Sequence, residues 1–101
     1  MRELVVMLLA SGTCTIERVA QHLGIDRRTI HRRLAQDGDT FSGVVEAVRR
    51  ELAERYVNEH HRTLAEVASL LGFAAPSGFS RWYRHRFKTR PSERRAHFAR
   101  K

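Results

Sequence analysis

The chain contains an internal repeat, in which residues 15–25 match residues 63–73 at an offset of 48. Each copy has a threonine, a Val-Ala pair, and a Leu-Gly pair followed by one apolar residue. Threonine caps helix N-termini, alanine permits close helix approach, and glycine adopts the left-handed conformation that reverses a chain. Each copy therefore predicts a short helix, a glycine turn and a second helix, which is the order of a helix-turn-helix.

Helical periodicity in the rest of the chain extends this to an all-α fold of about seven helices, since no strand pattern is present. With one residue added to the second copy, Ile30 aligns with Phe79 and Leu34 with Tyr83 as inward positions. The second helix is predicted to bury Ile16, Val19, Ala20 and Leu23. Asp39 or Thr40 is predicted to cap a long helix whose apolar stripe comprises Phe41, Val44, Val45, Val48, Leu52 and Tyr56.

These patterns divide the chain into three parts. Residues 1–38 form a first helix-turn-helix subdomain, residues 39–60 a linker helix, and residues 61–101 a second helix-turn-helix subdomain with a basic C-terminal helix. A linker helix of about nineteen residues would be about 28 Å long, against about 34 Å between successive major-groove faces on one side of B-DNA. Two reading helices held closer than one turn would require the DNA to bend.

The charge balance indicates the class of partner. Lys and Arg total 19 against 11 Asp and Glu, the net charge is +8, and 17 of the 19 bases are arginine. A small domain this basic is expected to bind a polyanion, nucleic acid first and an anionic membrane surface second.

Other composition signals argue against metal, disulfide and membrane chemistry. The single cysteine, Cys14, excludes an internal disulfide and a multi-cysteine zinc site, and the histidines have no zinc-binding spacing. The longest apolar run, residues 4–10, is too short to cross a membrane. We expect no cofactor, no metal, no catalysis and no membrane partner, and a reducing compartment with the cytoplasm as the default. Trp82 is expected to pack in the core or between subdomains rather than to stack on bases.

The chain resembles the DNA-binding domain of the AraC/XylS family of bacterial transcription regulators, and the resemblance covers about residues 2–95. It rests on residues 67–73 (VASLLGF), Pro76-Ser77, Phe79-Ser80-Arg81, Tyr83-Arg84, Phe87 and Pro91-Ser92. The resemblance implies two helix-turn-helix subdomains joined by a linker helix, and promoter binding near RNA polymerase, usually to activate transcription. Family members usually carry a separate sensing domain, so the chain is expected to be a C-terminal portion or a short stand-alone form. A small-molecule effector would then act only through that absent domain.

Three residues depart from the family pattern. Lys88 stands where glycine is usual, Arg90 where serine or threonine is usual, and Arg94 where an aromatic residue is usual. A left-handed cap near Lys88 would be strained by about 1 kcal/mol. Arg90 is a poor helix cap, so the last helix is expected to be short, loose or differently docked.

The first reading helix, residues 27–36, supplies the principal base-reading candidates. With Ile30 and Leu34 inward, Arg28, His31 and Arg32 share one outer stripe, and the resemblance implies that they face base edges in the major groove. The planar fork of arginine can donate twice to guanine. Contact with phosphates alone, or simple solvation of the helix, is the competing interpretation for these arginines.

The second reading helix offers weaker readout. With Phe79 inward, the outward candidates are Pro76, Ser77, Ser80 and Arg81, and a serine hydroxyl discriminates bases poorly. We therefore predict that the first subdomain carries more direct readout than the second, and that Ser77 acts either as a cap or as a base contact.

Phosphate contacts are predicted from basic residues and helix N-termini around both units, namely Arg27, Arg33, Thr15, Thr63, Arg84, Arg86 and Lys88. The basic run continues through Arg90, Arg94, Arg95, Arg100 and Lys101, for which phosphate contact is also predicted. A solvated basic tail is the competing interpretation for Arg100 and Lys101. Simple helix capping is the competing interpretation for Thr15 and Thr63. Two alternative functions stay open, a low-specificity architectural DNA binder and a protein-interaction module such as an anti-activator.

Overall fold

The computed structural model describes residues 1–99, and the side chains of residues 1–96. The described residues contain α-helices and no strand, which confirms the predicted all-α fold of about seven helices. The helices are α1 (Arg2–Ala10), α2 (Ile16–Leu23), α3 (Arg27–Gln36), α4 (Phe41–Asn58), α5 (Leu64–Leu70), α6 (Pro76–Phe87) and α7 (Pro91–Ala99).

Side-chain caps start four of these helices. The hydroxyls of Thr15, Thr40 and Thr63 and the carboxylate of Asp26 each accept a hydrogen bond from the backbone N–H three residues later, at 2.8–3.2 Å. These bonds satisfy N–H groups that have no partner within the helix. The bond from the Thr29 N–H to Asp26 also lowers the pKa of the Asp26 carboxyl.

The two predicted glycine turns are present. Gly24 ends α2 with φ +68°, and Gly72 follows α5 with φ +86°, both in the left-handed region. Ile25 and Phe73, the apolar residues after them, each donate a backbone N–H to the carbonyl of an alanine, Ala20 and Ala68 respectively. The two copies of the repeat therefore fold alike locally.

Two apolar clusters form the interior. The N-terminal core contains Leu8, Val19, Ala20, Ile30 and Leu34. The C-terminal core contains residues of α1, α4, α5 and α6 together with the turn after α5, namely Val5, Leu9, Val45, Val48, Leu52, Ala53, Val57, Val67, Ala68, Leu71, Phe79 and Tyr83. Helix α1 thus contributes to both cores, although the sequence division assigns it to the first subdomain.

One buried position was predicted wrongly. Leu23 is 44% exposed, whereas Leu71, its counterpart in the repeat, is fully buried. Leu71 packs in the C-terminal core, where α1 and α4 both contribute side chains. Leu23 lies at the end of α2 and belongs to neither core. The repeat is therefore matched in backbone but not in what surrounds it.

The last helix docks through an arginine that the sequence analysis grouped with the phosphate contacts. Arg95 on α7 donates four hydrogen bonds to the end of α4 and the loop after it, to the backbone oxygens of Tyr56 (3.1 Å), Val57 (3.1 Å), Glu59 (3.0 Å) and Arg62 (2.6 Å). Phosphate contact by Arg95 is therefore replaced by a structural role. The fully buried Pro91 anchors the start of α7, so this helix, of nine residues, is docked rather than loose.

The chain before α7 turns at Lys88, which has φ +61° and is the C-cap of α6. It is the one non-glycine residue with positive φ among those that the structure describes. The strained left-handed cap expected at this departure from the family pattern is thus present.

Candidate nucleic-acid interface

The outer face of α3 is basic and unpaired. Ile30 and Leu34 are buried in the N-terminal core, which turns Arg28, His31 and Arg32 outward. All three side chains are exposed, and none makes a hydrogen bond or ion pair with the described part of the chain. The three predicted base-reading residues are therefore brought together on one helix face with their donors available.

The outer face of α6 carries less charge. Phe79 and Tyr83 are buried, and Pro76, Ser77, Ser80 and Arg81 are exposed. Ala75 occupies the N-cap without a side-chain bond, so the Ser77 hydroxyl does not cap this helix. Arg81 is the one cation among these four candidates, and it makes no hydrogen bond or ion pair with residues 1–96.

The predicted phosphate contacts fall into three groups. Arg33, Arg84 and Lys88 are exposed and unpaired within the described residues. The hydroxyls of Thr15 and Thr63 already accept cap hydrogen bonds, which supports the capping interpretation for both.

The other two candidates are engaged in ion pairs. Arg27 lies 3.4 Å from Glu17 on α2, and Arg86 lies 3.0 Å from Glu46 on α4. An arginine in either position would have to exchange a carboxylate partner for a phosphate.

One exposed arginine of the first helix-turn-helix was not predicted from the sequence as a DNA contact. Arg18, on the first turn of α2, is exposed and its side chain makes no bond to the described chain. Its position three residues after the cap Thr15 was the available signal, because it places Arg18 in the first turn of α2, where a helix N-terminus favours an anion such as phosphate.

Trp82 packs inside the protein, as predicted. Its ring centroid lies 5.5 Å from that of Phe73 and 6.3 Å from that of Phe79, and its indole N–H donates to Glu46 on the linker helix. The ring is therefore engaged in interhelix packing rather than free to stack on bases.

Other kinds of site find little support in the described residues. No group of three or more His, Cys, Asp or Glu side chains is placed to hold a metal ion. No helix among these residues combines the length and apolar character needed to cross a membrane. Burial raises the pKa of the Cys14 thiol, which disfavours the reactive thiolate.

Comparison with known proteins identifies relatives over most of the chain. A family model described as a helix-turn-helix domain matches residues 19–97. The regulator VirS of Mycobacterium tuberculosis is 36% identical over 90 residues, which are 89% of this chain and 26% of VirS. The transcriptional activator NphR of a Rhodococcus species is 30% identical over 92 residues, 91% of this chain and 28% of NphR. The chain thus spans about a quarter of the length of these curated relatives.

Two solved structures are similar in fold. The transcriptional regulator CdpR of Pseudomonas aeruginosa superposes with a TM-score of 0.68 and 29% identity, over 81% of this chain and 26% of CdpR. A regulator of Chromobacterium violaceum, described as having an AraC-type DNA-binding domain, gives a TM-score of 0.69 at 24% identity, over 94% of this chain and 88% of that one.

Proposed function

Because this chain belongs to the helix-turn-helix family of AraC-type transcriptional regulators, we propose that it binds double-stranded DNA sequence-specifically at bacterial promoters. In this proposal α3 and α6 enter adjacent major-groove segments. The main support for this proposal is the outer face of α3, where Arg28, His31 and Arg32 are exposed and make no hydrogen bond or ion pair with the described residues. Each bidentate arginine–guanine contact contributes about 1–3 kcal/mol of discrimination against other bases.

The outer faces of α3 and α6 indicate different roles for these two helices on DNA. Arg28, His31 and Arg32 read bases directly from α3, while Arg81, with Pro76, Ser77 and Ser80, reads a second patch more weakly from α6. The phosphate contacts come from Arg27, Arg33, Arg84, Arg86 and Lys88, joined by Arg18, while Thr15 and Thr63 cap their helices. The linker helix has 18 residues and is about 27 Å long, which is less than the distance of about 34 Å between successive major-groove faces of B-DNA. If the two reading helices are held closer than that distance, the DNA must bend.

The regulatory role extends the same proposal. Activation is favoured by the similarity to NphR, which is described as a transcriptional activator. The chain carries out no chemical reaction, contacts RNA polymerase at the promoter, and responds to an effector only through a further domain of the longer regulators. Such an activity belongs in the bacterial cytoplasm, where promoter DNA lies.

The test is selection of binding sites from a random duplex library at near-physiological salt, followed by affinities for the selected and scrambled duplexes. We expect two patches about one helical turn apart, preferred by about tenfold or more over the scrambled duplex. Arg28→Ala and Arg32→Ala should each reduce the sequence preference within the patch that α3 contacts. Arg50→Ala, which removes an exposed unpaired arginine from α4, is the matched control and should weaken all sequences equally.

Two outcomes would reject the proposal. Affinities that are similar for all sequences and fall steeply with salt would favour an architectural DNA binder. A folded domain without measurable DNA affinity would favour a protein-interaction module.

A further inference from the structure

A pair of charged residues on the linker helix contacts the turn of the second helix-turn-helix. Arg49 and Glu46, one turn apart on α4, form an ion pair of 2.8 Å. The Arg49 Nε donates to the backbone oxygen of Leu71 at 3.0 Å, and its guanidinium lies 4.9 Å from the centre of the Phe73 ring. Both contacts fall on the segment that joins α5 to α6.

Glu46 also binds the second reading helix, α6. The second carboxylate oxygen of Glu46 accepts hydrogen bonds from the indole N–H of Trp82 at 3.1 Å and from Arg86 at 3.0 Å, and both donors lie on α6. The Glu46 and Arg49 side chains are only 29% and 20% exposed. One carboxylate thus links α4 to α6 through directional bonds, shielded in part from solvent.

Directional bonds matter here because the core residues that α6 and the linker helix share, among them Val48, Leu52 and Phe79, are apolar. Apolar burial is non-directional, whereas hydrogen bonds weaken steeply with a change in angle. The carboxylate therefore adds a directional restraint on rotation of α6 about its own axis. No hydrogen bond or ion pair joins α3 to α4 in the part of the chain that the structure describes. Among the described residues, hydrogen bonds therefore link the linker helix to the second reading helix but not to the first.

We propose that Glu46 is a positioning residue that fixes the orientation of α6 on the linker helix and thereby sets the spacing tolerated between the two DNA patches. The inference rests on the proposed function. One base-pair step moves a patch by about 3.4 Å along the DNA and about 34° around it. A reading helix held at a fixed angle reaches one spacing well, and a released helix reaches several.

The test measures affinity against spacing. One set of duplexes carries the two selected patches at their selected spacing, with one base pair removed between them, or with one or two base pairs added between them. A further duplex carries the α3 patch alone. Glu46→Gln keeps the side-chain shape but replaces an acceptor oxygen with an amide NH2 that faces donors. Glu51→Gln is the control, because Glu51 lies on the same helix, is 65% exposed and pairs with Arg2 rather than with any residue of α6.

The expected result is a change of shape in the spacing profile. The wild-type protein and Glu51→Gln should lose about tenfold in affinity at one base pair from the optimum, and Glu46→Gln about threefold or less. All three should bind the α3 patch alone within about twofold, because α3 is untouched. Should Glu46→Gln lose helical circular dichroism, Trp82→Phe removes one donor to the same carboxylate while keeping an aromatic ring, and should flatten the profile in the same direction.

The outcomes separate this inference from the proposed function. A wild-type spacing profile in folded Glu46→Gln, even with a lower melting temperature, would overturn it and leave Glu46 a purely structural residue. Two selected patches without any spacing optimum in the wild-type protein would overturn it while the proposed function stands. Absence of a selected motif would overturn both.

Discussion

Replacing Arg95 with alanine should strongly destabilise the domain, because this side chain satisfies four backbone oxygens at the end of the linker helix. The last carbonyls of a helix have no partner within it. A hydrogen bond from a charged donor contributes about 1.5–3 kcal/mol. Four bonds that share one partly exposed guanidinium do not add fully, so we expect a loss of about 3 kcal/mol. At about 4–8 °C per kcal/mol for a domain of this size, the melting temperature should fall by about 12 °C or more.

Thermal and urea unfolding followed by circular dichroism provide the assay, with Arg90→Ala as the control. Arg90 forms an ion pair of 3.6 Å with Glu93 in which both side chains are 61% exposed, and such surface pairs contribute less than about 1 kcal/mol. Arg95→Lys keeps the charge but cannot form the four-bond arrangement, and should lie between the wild type and Arg95→Ala.

Arg95 should not contribute to the electrostatics of DNA binding. In Arg95→Ala, measured well below its melting temperature, the slope of log Kd against log salt for DNA binding should stay unchanged, because Arg95 does not neutralise a phosphate. A melting temperature for Arg95→Ala within about 3 °C of that for Arg90→Ala, or a salt slope reduced by about one unit in Arg95→Ala, would refute the structural role.

The repeat offers matched tests of packing. Leu71→Ala should lower the free energy of unfolding in urea by about 2–5 kcal/mol, and Leu23→Ala at the equivalent exposed position by about 0.5 kcal/mol; equal losses would contradict the burial difference. Gly24→Ala, whose new Cβ would meet open space at φ +68°, should lose about 1 kcal/mol. Gly72→Ala should lose more, since its Cβ would lie 3.3 Å from a neighbouring helix; thermal unfolding of the two variants decides this. Lys88→Gly should raise the stability by up to about 1 kcal/mol by relieving a left-handed lysine, and an unchanged or lower melting temperature would count against that strain.

Helix ends were predictable because their signals are local. Thr15, Asp26 and Thr63 cap helices through backbone groups three residues away, and Gly24 and Gly72 reverse the chain at their own positions. Except for Leu23, the inward residues of the repeat followed from helical periodicity for the same reason, and so did the outward basic stripe of α3. The division of the chain at residues 38 and 60, and the roles of single residues on DNA, stay predictions.

Features that depend on distant partners could not be predicted. Leu23 carries the same local pattern as Leu71, and only the packing of α1 and α4 in the C-terminal core makes their burial differ. Arg95 is one of many arginines in a basic run, and its carbonyl partners lie 33–39 residues earlier in the chain. The Glu46 contacts with α6 span 36 and 40 residues, and no short-range pattern indicates them.

Helix α1 has a consequence for how the domain folds. Leu8 belongs to the N-terminal core, whereas Val5 and Leu9 on the same helix belong to the C-terminal core. Unfolding of either half would expose part of the apolar face of this helix to water and so destabilise the half that stays folded. Although the sequence contains the same unit twice, neither unit closes its own interior, and the pair should unfold in a single cooperative transition rather than in two.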